Sequence, residues 1–465
     1  MAAIQTIYNF LWGDIVRIPL PGGSTLGLSL LVLILVPAGL YFTVRTRFLP
    51  FRLFPEMLRV TLENNKKGDD GISGVQALIV STACRVGMGN LVGVVAAISA
   101  GGAGAVFWMW VIALLGSSTA FIEATLAQLY KQKDPLYGGY RGGPAYYLHA
   151  LFIKPGSKRR RSVMASLFAL SGLVCWCGIS QVTGNSISSS FENAFHIPPL
   201  YSTIALVALA AVIVLRKHAT VKVLDLMVPV MAACYFFITL FIILRNIGQV
   251  PAVFAQIFAE AFGVRQVVGG GIGAVIMNGA KRGLFSNEAG SGSAPCAAAA
   301  ADIDHPAKEG LLQSLGVFID TLVICSCSAM IMLLTPQELT AGLEGMDLLQ
   351  AAMRYHLGEF GVIFIAVILW LFSFSTFLGI LFYARSNVAY LFGDNWLSQT
   401  LYKVLALVML FVGGLAAYQF VWDLGDVGVG LMTIFNMVAL FPLAPKALDA
   451  LRDYETNRLH QNTER

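Results

Sequence analysis

The chain holds about eleven apolar stretches long enough to cross a bilayer, and few folds can accommodate that. A segment surrounded by hydrocarbon finds no water for its N–H and C=O groups, so it must close its own hydrogen bonds as a helix. The runs predict helices near 25–45, 75–98, 104–130, 163–190, 198–216, 222–245, 266–285, 309–335, 359–391, 399–421 and 427–444. Only 12% of the residues are charged and 57% are hydrophobic, where soluble domains carry roughly a quarter charged. An all-α polytopic membrane protein of eleven transmembrane helices is expected. A short interfacial helix is expected before the first span, in a segment with no basic n-region or cleavage site and therefore retained.

Lys and Arg set the orientation. With the N-terminus outside, 26 of the 31 fall in cytoplasmic segments and span ends, 4 fall outside, and Arg85 lies within a span. That bias predicts an outer N-terminus and a cytoplasmic C-terminus. The net charge of +5 then records topology, and nucleic acid is no expected partner. The seven cysteines show no metal or disulfide spacing. Without a G-x-S-x-G elbow, a P-loop or a metal-spaced histidine set, an enzyme is not indicated.

Two spans carry clustered glycine. The second, VQALIVSTACRVGMGNLVGVVAAIS, has Gly87, Gly89 and Gly93 at its middle, and each glycine weakens a helix by about 1 kcal/mol relative to alanine. The seventh has Gly269 to Gly273 and a second weak point at Asn278 and Gly279. Close helix packing is the competing account of such glycines. Matched breaks five spans apart point instead to an inverted repeat around a binding site. That reading makes 1–70 an N-terminal segment with an extra span, 71–245 and 246–445 two five-helix repeats of opposite topology, and 446–465 a cytoplasmic tail.

The stretches TACRVGMGNLVGV, GGAGAVFWMWVIALLG, YRGGPAYYL and GLFSNEAGSGSAPCAAAAA followed by DHPAKEGL resemble the alanine or glycine:cation symporter family, from about Gly71 to Pro445. The resemblance implies a five-plus-five inverted repeat with two discontinuous helices, sodium coupling, a small neutral amino acid as cargo, and a bacterial inner membrane. A sodium-independent or proton-coupled carrier and a channel are the alternatives. Oligomeric state is not indicated.

A zwitterion needs donors for its carboxylate and acceptors for its ammonium, which half-helix ends and unwound carbonyls supply. Val86 to Asn90, with Gly87 and Gly89, and Met277, Asn278 and Gly279 are therefore expected to line the site through their backbones. By resemblance to a G-x-G-N pattern Asn90 is a site residue, the alternative being a helix-to-helix hydrogen bond. The similarity likewise assigns Gln181, midway along the fourth span, to the amino acid, with interhelical bonding as its alternative. In related inverted-repeat transporters hydroxyls on the ninth span hold sodium with carbonyls of the broken helix, here Ser375 and Thr376 with Ala83 and Val86. Both hydroxyls have carbonyls one turn earlier as competing partners.

Charge inside the membrane is costly, which singles out Arg85, Glu123, Asp225 and Asp320. Arg85 is a candidate gate or partner of a carboxylate, with Asp320 and Glu123 as possible partners. For Glu123 and Asp225 a structural pair or an interfacial position is expected. Asn287 to Gly290 is expected at the inner end of the seventh span, where Glu288 would pair with Lys281, Arg282 or Arg85 as an inner gate, or form a structural turn. Two positions depart from the family pattern. Met88 stands where a small hydroxyl residue is common, and Ile380 where an aromatic is, so a pocket lined by Ile380 would admit a cargo larger than alanine.

Overall fold

The computed structural model describes residues 2–19, 25–63, 71–154, 156, 161–216, 219–263, 272–340, 342–343, 345–416 and 418–463. It is an all-α bundle with a helix on each expected span. In chain order the principal helices are α1 (Ala2–Trp12), α2 (Leu30–Arg45), α3 (Gly74–Arg85), α4 (Gly89–Gly101), α5 (Gly104–Leu129), α6 (Val163–Phe195), α7 (Pro199–Val214) and α8 (Ala219–Arg245). There follow α9 (Ile272–Asn287), α10 (Ala294–Ala298), α11 (Pro306–Leu333), α12 (Glu359–Phe392), α13 (Trp396–Leu415) and α14 (Tyr418–Thr463). Among the described residues seven helices are long and apolar enough to cross a membrane alone. The pair α3 and α4 adds one broken span, and α2 and α7 are shorter apolar helices. α9, with Lys281 and Arg282 inside it, is not apolar enough to be counted with these, so the count of eleven remains an expectation.

Two boundaries differ from the sequence reading, and a third cannot be compared. Residues Thr25–Leu28 pair as a strand with Val16–Pro19, and the first span begins only after Ser29, whose hydroxyl caps the N–H of Val32 at 3.3 Å. The start of the seventh span, 266–271 with Gly269 to Gly271, lies outside the described residues. The expected tail from 446 is the continuation of α14, helical to Thr463. The expected short N-terminal helix is α1; it packs on α14, buries Leu11 and Trp12, and gives the Trp12 indole N–H to Asp426 O at 3.1 Å.

The second span breaks where expected. Ser73 and Gln76 close a capping box at the start of α3. After Arg85 the helix ends at Val86, and α4 leaves at 50° to α3. Asn90 Oδ1 accepts the freed N–H of Gly87 at 2.9 Å, satisfying a backbone donor that hydrocarbon could not. Gly87 is required for space as well: a Cβ there would fall under 3.0 Å from Thr376 Oγ1.

The seventh span is not interrupted at Met277 to Gly279. α9 runs through these residues, Asn278 folds its amide back to Ala274 O at 2.9 Å, and a Cβ on Gly279 would meet the α5 backbone at Ala105. Here glycine serves close packing. The interruption comes after Asn287, where Glu288 (φ 55°), Gly290 (φ 88°) and Gly292 (φ 84°) turn the chain through left-handed backbone into the short α10. Asn287 to Gly290 thus lies at the end of α9, buried, and forms a structural turn.

Candidate functional site

The two breaks face each other. Between them a cavity of about 20 Å³ is lined by Cys84, Arg85, Met88, Gly89, Ile179, Phe285, Glu288, Thr376 and Val429, room for about one water molecule. Of the expected substrate residues Gly89 lines it, and Gly87 lies beside Thr376. Met277, Asn278 and Gly279 stand elsewhere on α9 and do not line it. Gln181 turns toward α13, its Nε2 3.2 Å from Met409 Sδ, and Ile179 on the same helix lines the cavity in its place. Ile380 is buried and off the cavity. Asn90 is occupied at both ends, accepting from Gly87 N and donating from Nδ2 to Asp320 Oδ1 at 2.7 Å.

Beside the cavity α12 meets the end of α3. Ser375 Oγ is 3.3 Å and Thr376 Oγ1 3.2 Å from Ala83 O. Both hydroxyls also reach Phe372 O, at 2.8 and 3.0 Å. A hydroxyl has one hydrogen and two lone pairs. With the hydrogens given to Phe372, three oxygens converge at separations that suit a hard cation. Val86, the residue at the break, has a buried side chain, and its N–H goes to Thr82 O at 2.6 Å.

Arg85 and Glu288 have other partners than those expected. Arg85 makes no ion pair among the described residues; Nη1 donates to Gln313 O at 3.1 Å, and Nε and Nη2 have no hydrogen-bond partner. Glu288 pairs with neither Lys281 nor Arg282. These are bound to Asp426 at 2.8 and 3.5 Å, beneath Tyr8 and Trp12 of α1, so they sit mid-helix in the bundle and not at an inner span end. Arg282 lies over Trp422, 5.0 Å from the ring centroid, and Trp422 packs on Phe285 of the cavity wall. This layer covers the cavity on one side. Glu123 is a clamp: Oε2 accepts Gly290 N–H at 3.0 Å and Oε1 accepts the amide of Asn436, which also bonds Gly290 O at 3.0 Å. Asp225 Oδ2 accepts from Gln76 at 2.8 Å and lines a wide vestibule.

That vestibule, about 490 Å³, opens on the opposite side of the cavity between Gln76, Tyr137, Tyr140, Asp225, Phe382, Arg385 and Lys403. Between vestibule and cavity α3 and α12 touch, with Gly379 against Cys84 and Tyr383 Oη reaching Ser81 O at 3.5 Å. One closed layer thus covers the cavity on each side. Residues missed in the sequence are Phe285, Ile179, Val429 and Trp422, which as ordinary residues of spanning helices carry no local signal, and Asp426, a buried charge that fell one residue before the expected start of the last span.

Comparison with known proteins agrees with this architecture. The sodium:alanine symporter family matches residues 22–465, and the chain belongs to that family. An amino-acid carrier protein of Bacillus subtilis is 42% identical over 91% of this chain and 89% of its own. A probable sodium/glutamine symporter of the same species is 42% identical over 92% of this chain and 88% of its own. Among solved structures, an Eremococcus coleocola manganese transporter has the same fold, with a TM-score of 0.52 at 14% identity over 86% of this chain and 80% of that one.

Proposed function

We propose that this member of the sodium:alanine symporter family imports a small neutral amino acid together with sodium, by exposing the cavity between its two helix breaks to each side in turn. The observation that carries the reading is the convergence of Ser375, Thr376 and Ala83 O beside that cavity, whose wall Thr376 joins. A cation there, with the Val86 carbonyl as a further ligand, would fix the bend between α3 and α4 and so the shape of the amino-acid site.

The N-terminal end of α4, at Gly87 and Gly89, suits the carboxylate, and the carbonyl end of α9 suits the ammonium. Met88, Ile179, Phe285 and Val429 offer an apolar lining that suits the side chain of alanine, glycine or a somewhat larger amino acid, with the cavity widening from its room for about one water as the cargo enters. Arg85 and Glu288 line the cavity with opposite charge and act as the gate on the vestibule side. In this reading 71–245 and 246–445 are the two repeats, supported by an interruption in the helix that opens each. The vestibule side is cytoplasmic, because the Lys- and Arg-rich segments gather there.

One sodium crossing 100 mV inward releases about 2.3 kcal/mol and a tenfold gradient adds about 1.4, enough for roughly 500-fold accumulation. Purified protein in liposomes tests the reading. Saturable uptake of alanine above equilibrium, driven by an inward sodium gradient and not by a proton gradient alone, is expected. Uptake that never exceeds equilibrium would refute symport.

A further inference from the structure

One residue behind the cavity wall lies a second oxygen cluster that the proposed sodium position does not use. Asp320 is fully buried in a stretch of α11, Phe318–Cys325, wound as a π-helix. Its Oδ1 accepts from Asn90 Nδ2 at 2.7 Å, and its Oδ2 accepts from Ser286 Oγ and from Thr321 Oγ1, both at 2.8 Å. Asn90 lies in the other π-helical stretch, Gly89–Gly93, and Ser286 in the last turn of α9. One π turn carries the carboxylate and another faces it, and such turns gather at functional sites.

Among the described residues no Lys, Arg or His forms an ion pair with Asp320. Arg85, the buried cation of this region, gives Nη1 to a carbonyl instead. An ionised carboxylate held from water without a counter-charge is strongly unfavourable. We propose that the Asp320 carboxylate and the hydroxyl oxygens of Ser286 and Thr321 form a cation site, distinct from that of Thr376, which takes sodium.

The chemistry fits a hard monovalent ion: one carboxylate, neutral oxygens, and, among the described residues, no cluster of three or more His, Cys, Asp or Glu that would select a transition metal. Ser286 can yield its lone pair to the ion because its hydrogen has a second acceptor in Cys325 Sγ, 3.2 Å away. Asn90 is a positioning residue. Its Oδ1 is taken by Gly87 N–H, so it ties the start of α4 to the carboxylate rather than binding the ion. An ion at Asp320 joins α4, α9 and α11 next to Gly89 and Phe285 of the cavity wall, so ion and amino acid each raise affinity for the other.

The inference rests on sodium-coupled transport for the choice of ion, and equilibrium binding of radioactive sodium to the purified full chain separates the two. Asp320→Asn and Thr376→Ala are each expected to bind one sodium fewer than the parent, and Thr321→Val to weaken one class of site about tenfold. Equal binding by parent and Asp320→Asn overturns the Asp320 site and leaves that of Thr376. Loss in Asp320→Asn alone supports the Asp320 site and removes the other, whereas a parent that binds no sodium overturns both. If Asp320→Asn does not fold, Thr321→Val decides, and an unchanged sodium half-saturation overturns the site. A proton-driven uptake that Asp320→Asn abolishes also overturns it, in favour of a proton on the carboxylate.

Discussion

Replacing Gly87 by alanine separates a helix break that merely bends from one that builds an ion site. The added Cβ would fall under 3.0 Å from Thr376 Oγ1 and 3.4 Å from Thr376 Cβ, where ordinary contact begins at 3.4 Å. Thr376 is buried and β-branched, so its χ1 has few alternatives. Overpacking of this kind costs about 1–3 kcal/mol. The hydroxyl is the nearest atom, and turning it away takes it from Ala83 O at 3.2 Å. If half or more of that cost falls on the ion-bound state, sodium affinity drops about tenfold for each 1.4 kcal/mol. The assay is the sodium concentration that gives half-maximal thermal stabilisation, with uptake measured alongside. Gly93→Ala is the control, because its Cβ would have nothing within 4 Å, and it should keep the parent value. Gly87→Ala with Thr376→Ala should regain melting temperature by removing the clash and still lack the part of the sodium response that the Thr376 site contributes. A Gly87→Ala protein with the parent's sodium half-saturation would refute the reasoning.

Asp426→Asn removes the charge that balances Lys281 and Arg282, and should lower the melting temperature by several degrees and raise leak of alanine from loaded liposomes; unchanged leak would show that this layer is not a barrier. Gly413→Ala would press a Cβ into the backbone of Gln181 on α6, separating α13 from α6, with about 2 kcal/mol or more of destabilisation expected by denaturant or thermal melting. His356, between Thr335 and Ile331 at 3.0 Å, has its pKa lowered chiefly by burial. A lowered folded pKa gives stability that is complete above the unfolded value near 6.5 and is lost as pH falls below it. The melting temperature should therefore drop between pH 7 and pH 5, and His356→Gln should flatten that slope.

The helices themselves were legible because hydrocarbon permits so little else, and the break at Gly87 was legible because Gly87, Gly89 and Gly93 cluster there with Asn90 among them. The second break was misplaced for a physical reason. Glycine weakens a helix and also lets two helices touch, and at Gly279 the contact with Ala105 outweighs the propensity. The true break lies at Asn287 to Gly290, where a structural turn was the alternative expected, and it uses Glu288 in left-handed backbone held by Glu123 and Asn436 from distant helices. Asp320 was conspicuous as a buried charge, but its partners Asn90 and Ser286 come from two other elements and become neighbours only in the fold.

The last helix is a lever. From Asp426, beneath α1, it continues to Tyr454, whose hydroxyl reaches Glu56 in the helix Phe54–Leu62 at 2.5 Å, a shaft of about 42 Å at 1.5 Å per residue. A straight helix transmits tilt along its whole length, so releasing the Asp426 end moves the Tyr454 end unless something flexes between them. Only the ladder around Pro442 and Pro445 lacks backbone donors. Those two residues therefore decide whether the ends of the shaft move as one or in turn.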